Sequence, residues 1–219
     1  MWCNNDRTAF EHSTNGQITP EEYSGEVLIR YVKDSKLNTI LDIGTWNGLG
    51  STRCFLLALA GNTTTRLISL ESNKDKHQAA LSNLHDLLTD RTEIVWGTLL
   101  RPEDIPNTEL ARVFPDITTN SEFARWHSID IENMKLAPYI FDTLPKTIDF
   151  VLFDGGEFTT YFEFQRLFPR CTRFIALDDV NVSKCSNIRN ILRSNREWRE
   201  VEYTSGRNGF SLFKKIGSS

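Results

Sequence analysis

The sequence predicts an α/β protein: a doubly wound sheet of seven strands, mostly parallel, ending in an antiparallel hairpin. Three observations lead there. Apolar runs such as Thr147-Ile148-Asp149-Phe150-Val151-Leu152-Phe153 alternate with stretches of helical periodicity, the pattern of parallel strands covered on both faces. Residues 39–51 pass from an apolar strand through a glycine-rich turn, Gly44-Thr45-Trp46-Asn47-Gly48-Leu49-Gly50, into a helical run. The last two strand-like stretches, residues 198–204 and 210–216, are joined by Ser205-Gly206-Arg207-Asn208-Gly209, whose glycines and asparagine favour a hairpin loop.

In chain order, residues 1–18 are polar and read as a loose arm, with His12 solvated. Thr19-Pro20-Glu21-Glu22 has the form of a helix start with a capping box, and Tyr23, Val27, Leu28 and Tyr31 recur at helical spacing. The first strand leads into the glycine turn and a helix over 52–60. Strand two, residues 66–71, ends in Glu71, and Ser72-Asn73-Lys74-Asp75 opens a helix carrying Leu81, Leu84, Leu87 and Leu88. Strand three covers 92–96 and ends at Gly97-Thr98. Residues 101–145 form a proline-broken insertion with a helix near 121–134. A connection of this length is usually functional, such as a lid. Its Trp126, His127 and Asp130 either line a substrate pocket or belong to a small satellite core. Strand four, 147–153, delivers Asp154-Gly155-Gly156-Glu157. Strand five, 174–177, delivers Asp178-Asp179-Val180-Asn181, followed by a helix with Ile188, Ile191 and Leu192.

The chain has 219 residues, 39% hydrophobic and 25% charged, with a net charge of −4. That is one ordinary globular domain over residues 1–219, and its acidic balance gives no support to a nucleic-acid partner. No apolar run is long enough for a membrane span, and the N-terminus lacks a signal-peptide core. The four cysteines have no C-x-x-C spacing, which suggests a reducing, cytoplasmic setting. A small-molecule substrate is expected, and a homo-oligomer stays open.

A strand, a glycine turn and a helix N-terminus receive a nucleotide-like ligand in such sheets. The spacing G-x-x-x-G-x-G is not the dinucleotide G-x-G-x-x-G, so NAD is not indicated. Asp42, two residues before the first glycine, suits a ligand bearing an ammonium group. Glu71, at the tip of strand two, stands where a ribose is hydrogen-bonded. Asp154, Asp178 and Asp179 arrive at one sheet edge, where three carboxylates repel unless a cation lies between them. Oxygen donors alone suit a hard ion such as Mg²⁺, with Asn181 as a further donor; alternatively each aspartate caps the element that follows it.

Together these residues resemble the class I S-adenosylmethionine (SAM) methyltransferases, in particular the metal-dependent, catechol-O-methyltransferase-like branch, and also sugar and macrolide O-methyltransferases that use an aspartate pair. The matching blocks are Leu41 to Gly48, Leu70 to Asn73, Gly97-Thr98, Phe153-Asp154 and Leu177 to Asp179. The resemblance implies a Rossmann-like fold and a cofactor site of Asp42, Gly44, Thr45, Trp46, Gly48, Glu71, Ser72, Gly97, Thr98 and Asp154. It also implies that Asp154, Asp178 and Asp179 bind Mg²⁺. The expected activity is SAM-dependent, Mg²⁺-assisted O-methylation of a small-molecule hydroxyl, most plausibly on a sugar or polysaccharide precursor. A non-catalytic SAM-binding module, or a metal-independent methyltransferase for protein or RNA, is the alternative. Two departures stand out: Glu157 occupies the position of the catechol enzymes' catalytic lysine, and Gly156 that of the sugar enzymes' proposed aspartate base. Asp154 and Glu157 are the expected catalytic residues. A helix starting at Glu157 and a nearby metal would both lower that carboxyl's pKa.

Overall fold

The computed structural model describes residues 11–217. Seven strands form one sheet in the order β3-β2-β1-β4-β5-β7-β6. They are β1 (Thr39–Ile43), β2 (Arg66–Glu71), β3 (Thr92–Trp96), β4 (Ile148–Phe153), β5 (Cys171–Asp178), β6 (Trp198–Thr204) and β7 (Phe210–Lys215). The first five are parallel, and β7 runs antiparallel to both β5 and β6. From β1 the chain winds outward to β2 and β3, then returns to place β4 on the other side of β1. The strand order therefore reverses between β1 and β4, which opens a crevice at their C-terminal ends.

The helices are α1 (Tyr23–Asp34), α2 (Ser51–Ala58), α3 (Lys74–Leu84), α4 (Asn107–Val113), α5 (Ser121–Leu136), α6 (Thr160–Leu167) and α7 (Ser183–Ser194). Side chains alternate across the central strands, so each strand feeds two cores. Ile40, Phe150, Leu152, Phe174 and Ala176 face α1 and α2, where Phe55 meets Phe150 edge-on at 5.6 Å. Leu41, Ile43, Val151, Phe153, Ile175 and Leu177 face α6, α7 and the insertion. Each fully buried side chain of this kind contributes about 1.5–3 kcal/mol.

Several boundaries differ from those read in the sequence. No side chain caps α1, which begins at Tyr23 after a backbone turn from Thr19 to Glu22, so the expected capping box is not made. α3 ends at Leu84, short of Leu87 and Leu88, and both Leu81 and Leu87 are exposed. α6 begins at Thr160, so Glu157 precedes the helix instead of opening it. The described part of the arm is tied down. Gln17 donates to Ser13 O and Asn47 Oδ1, Asn83 donates to Glu11 O, and Arg207 donates to Gly16 O. His12 is exposed as expected. Residues 1–10 of that arm lie outside the described residues. The insertion does not form a separate satellite core: Leu110, Val113, Phe114, Ile117 and Met134 are buried in the same core as Val151, Phe153 and Ile175, with Phe114 and Phe123 packed on Phe158. Among the described residues no helix is long and apolar enough to cross a membrane.

Gly44 sets the approach of β1 to β4. Its φ is +97°, and a Cβ there would overlap the Asp154 carbonyl oxygen. Gly44→Ala is therefore expected to destabilise the fold by about 2 kcal/mol or more. The urea unfolding midpoint measures this, and an unchanged midpoint would show that the turn relaxes without disturbing β4.

Candidate active site

The turn after β1 is built from beneath. Gly44 N and Thr45 N both donate to Leu70 O, folding the chain over the tip of β2. Asp42, fully buried, accepts hydrogen bonds from the Ser51, Thr52 and Ser69 hydroxyls at 3.0, 2.6 and 2.9 Å. Burial raises its pKa, opposed by those three hydroxyls. This corrects the direct ammonium contact expected of Asp42: its oxygens brace the turn and the start of α2. Thr45 belongs to the same net, its hydroxyl 2.6 Å from that of Ser69. Gly48, with φ +82°, presses against Leu84 of α3.

Glu71 lies 6% exposed at the tip of β2. Its two oxygens each accept a backbone N–H at 2.8 Å, one from Trp46 and one from Asn73. Burial raises its pKa, with Lys76 pulling the other way. Trp46 has φ +53°, a conformation a bulky residue adopts only when its surroundings enforce it. Here the Glu71 bond holds its backbone, and the Lys76 ammonium lies 3.2 Å from its ring centroid. Ser72 offers its carbonyl to the Trp96 indole. Gly97 donates to Glu71 O. Thr98, expected in the cofactor site, is buried and bonded to the insertion. Its N–H donates to Pro138 O, its carbonyl accepts from Ile140, and its hydroxyl donates to Leu100 O, so the insertion covers it.

The insertion reaches the crevice through α5. Asp130 Oδ2 accepts from Phe158 N at 3.0 Å, and its carboxylate lies 2.7 Å from where a Cβ on Gly156 would stand. Glycine at 156 is thus what lets the helix close onto the loop after β4. Asn133 accepts from the Asn73 side chain at 3.2 Å. Trp126 packs on Phe123 against the main core, whereas Asp130 meets the loop after β4. Behind Gly155 sits Glu163, which the sequence reading missed because it falls within an apolar helix. Its Oε2 is buried with no hydrogen-bond partner, 2.5 Å from where a Gly155 Cβ would be. Burial, with Asp130 adding to it, pushes Glu163 up to about 8, and burial pushes Asp130 up to about 6.

At the tips of β4 and β5 the three aspartates converge as expected, with donor oxygens within 4.8 Å of one another. Their counter-charges come from the chain. Lys184 Nζ, from the first turn of α7, lies 2.6 Å from Asp154 Oδ1 and 3.1 Å from Asp179 Oδ2. Arg207, from the hairpin loop, places one Nη2 at 2.6 and 2.7 Å from both oxygens of Asp178. Asp179 adopts φ +57°, turning the chain so that its carboxylate comes back to Lys184. Burial opposes charge on Lys184, but Asp154, Asp179 and Asp178 outweigh it and raise its pKa well above the ordinary value. Asp179 is likewise penalised by burial, yet Lys184 and Asn208 hold its pKa below the usual range. Glu157 accepts from the Ser183 hydroxyl at 3.4 Å, and burial raises its pKa against the pull of Lys184. The lowered pKa expected for Glu157 is thus corrected: it lies ahead of the helix start and is shielded from water. Lys184 was legible in principle as a lysine one helical turn beyond an aspartate pair. Arg207 carried no local signal.

No family model matches the sequence, and no curated protein matches it. Solved structures do. An O-methyltransferase from Bacillus cereus in complex with SAH aligns with a TM-score of 0.56 at 18% identity, over 87% of this chain and 80% of that one. A methyltransferase from Geobacter sulfurreducens gives 0.56 at 13% identity, over 91% and 82%. An rRNA methylase from Streptococcus thermophilus gives 0.53 at 10% identity, over 89% and 98%. The fold is that of the class I methyltransferases.

A carboxyl whose pKa is raised by folding favours the protonated state, so its contribution to stability is lost as pH rises from 4.5 toward about 8 for Glu163. Glu163→Gln removes that loss. The variant should match the wild type near pH 4.5 and exceed it at pH 8 by about 1–3 kcal/mol. Thermal melts across that range test this; a difference independent of pH would show that Glu163 ionises freely in the folded protein.

Proposed function

We propose that this chain is a SAM-dependent methyltransferase that methylates a hydroxyl of a small molecule, with a sugar or polysaccharide precursor as acceptor. The observation that carries the reading is the pairing of the glycine turn with Glu71 at the reversal point of a methyltransferase sheet. The residues fit the cofactor: Gly44 to Gly48 make a backbone cradle, Glu71 is a buried acceptor for a ribose diol, and Asp130 brings an acidic group to the crevice. Bound there, SAM supplies a methyl group on a positively charged sulfur.

The chain's own residues then orient and deprotonate the acceptor. Asp154, Glu157 and Asp179, together with Asn181 and Ser183, make the edge beyond β4 and β5 polar, which suits a polyhydroxylated molecule. Glu157 takes the acceptor's proton as the C–O bond forms and the C–S bond breaks. Its raised pKa makes it a stronger base than an exposed glutamate. Alignment of the hydroxyl oxygen with the methyl group supplies much of the rate. α5 serves as a lid that must lift its Asp130 latch from Phe158 for ligands to enter. Mg²⁺ assistance has the three aspartates in its favour and the Lys184 ammonium against it, so no step here passes through a metal.

SAM should bind in preference to NAD or ATP. Glu71→Ala is expected to weaken SAM binding by about 10- to 100-fold, the equivalent of about 1.5–3 kcal/mol for hydrogen bonds to a charged acceptor. Calorimetry checks both statements, and equal SAM affinity in the variant removes Glu71 from the site. Tritiated SAM with a panel of sugars and nucleotide sugars tests turnover. Transfer to RNA instead would favour the alternative acceptor, and tight SAM binding without transfer to any acceptor would favour a binding module.

A further inference from the structure

We propose that Lys184 is a built-in cation that takes the place of a divalent metal ion among Asp154, Asp178 and Asp179, so that acceptor binding and methyl transfer at this edge need no metal. The three donor oxygens lie close enough to share one ion, within 4.8 Å of one another. A divalent ion at such a site binds through lone pairs that carboxylates leave uncommitted. Here four of the six oxygens already face a cation. Both oxygens of Asp178 face the Arg207 guanidinium, and Asp154 and Asp179 each give an oxygen to the Lys184 ammonium at 2.6 and 3.1 Å. Three carboxylates against two fixed cations leave one negative charge in excess, where the bare triad would offer three.

The ammonium is not a surface side chain that happens to lean in. The Lys184 side chain is 8% exposed, anchored in the first turn of α7, while the Asp154 and Asp179 side chains are 18% and 20% exposed. A buried ammonium is retained only where it is paired, as this one is with Asp154 and Asp179. To admit a metal ion the chain would have to break both of these contacts and move the ammonium away. The positive φ of Asp179 bends the second aspartate of the pair toward Lys184, so backbone geometry and charge serve the same contact.

A chemical role follows, and it rests on the methyltransferase reading above. An ammonium has three N–H donors, of which Asp154 and Asp179 take one each. In this proposal the third N–H serves an acceptor oxygen beside the two carboxylates. There it stabilises the negative charge that grows on that oxygen as Glu157 removes its proton, the service a metal ion performs elsewhere. Lysine delivers one charge and no octahedral shell, so it holds a single oxygen and not a chelating diol. The acceptor class that fits is a molecule presenting one reactive hydroxyl, without any need for a vicinal pair.

The test is Mn²⁺ binding followed by electron paramagnetic resonance, with and without SAH, on the wild type and on Lys184→Ala, Lys184→Met and Lys184→Arg. Wild type and Lys184→Arg should bind no stoichiometric Mn²⁺. The Ala and Met variants should bind about one ion per chain, at least tenfold tighter than the wild type, with a melting temperature that rises when Mn²⁺ is added. One Mn²⁺ bound per wild-type chain would overturn the proposal, and so would folded Ala and Met variants that bind none. If neither variant folds, the wild-type titration decides alone. SAM affinity is measured separately, so failure of the methyltransferase reading would appear there and leave the Mn²⁺ result interpretable.

Discussion

Parallel strands release the chain at one edge, and everything at this protein's site follows from that constraint. β1, β2, β4 and β5 deliver Gly44, Glu71, Asp154 and Asp178-Asp179 to the same rim. Acids brought together in this way cannot all stay charged unless they are paired. The chain answers differently at its two ends. Glu71 is held by backbone N–H groups of the neighbouring turns, whereas the aspartates of β4 and β5 are held by Lys184 and Arg207.

That pairing ties distant segments to one another. Arg207 belongs to the hairpin loop, yet it reaches Asp178 of β5 and Gly16 of the arm. The arm's Gln17 in turn meets Asn47 of the glycine turn. One chain of polar contacts thus runs from the tip of β5, through the hairpin and the arm, to the turn after β1. In a water-poor interior each link strengthens the next and makes any broken link costly. The antiparallel hairpin is therefore more than an edge to the sheet: it supplies a charge that the parallel strands lack.

Backbone strain and part of the unsatisfied polarity lie at the same rim. Trp46 and Asp179 are two of the three non-glycine residues with positive φ among the described residues, and both flank the crevice. Glu163 and His127 carry buried polar atoms with no partner, one behind the loop after β4 and one on α5. The hydrophobic layers on either face of the sheet are well satisfied and supply the stability that tolerates such cost.

Local patterns in the chain were enough to give the sheet, its winding and which acids stand at its tips. Strand runs and helical periodicity are local signals, and a residue at the end of a parallel strand has only one edge to occupy. These patterns did not determine where helices start when no side-chain cap is made, as at Tyr23, or that residues 11–18 are fastened to the turn. Nor did they reveal the partners of the acids. Asp42 meets hydroxyls from α2 and β2, Asp130 arrives from the insertion, and Arg207 arrives from a loop 29 residues beyond Asp178. Those pairings depend on the register of β7 against β5 and on the docking of α5. They are long-range choices made by packing, and no spacing in the sequence encodes them.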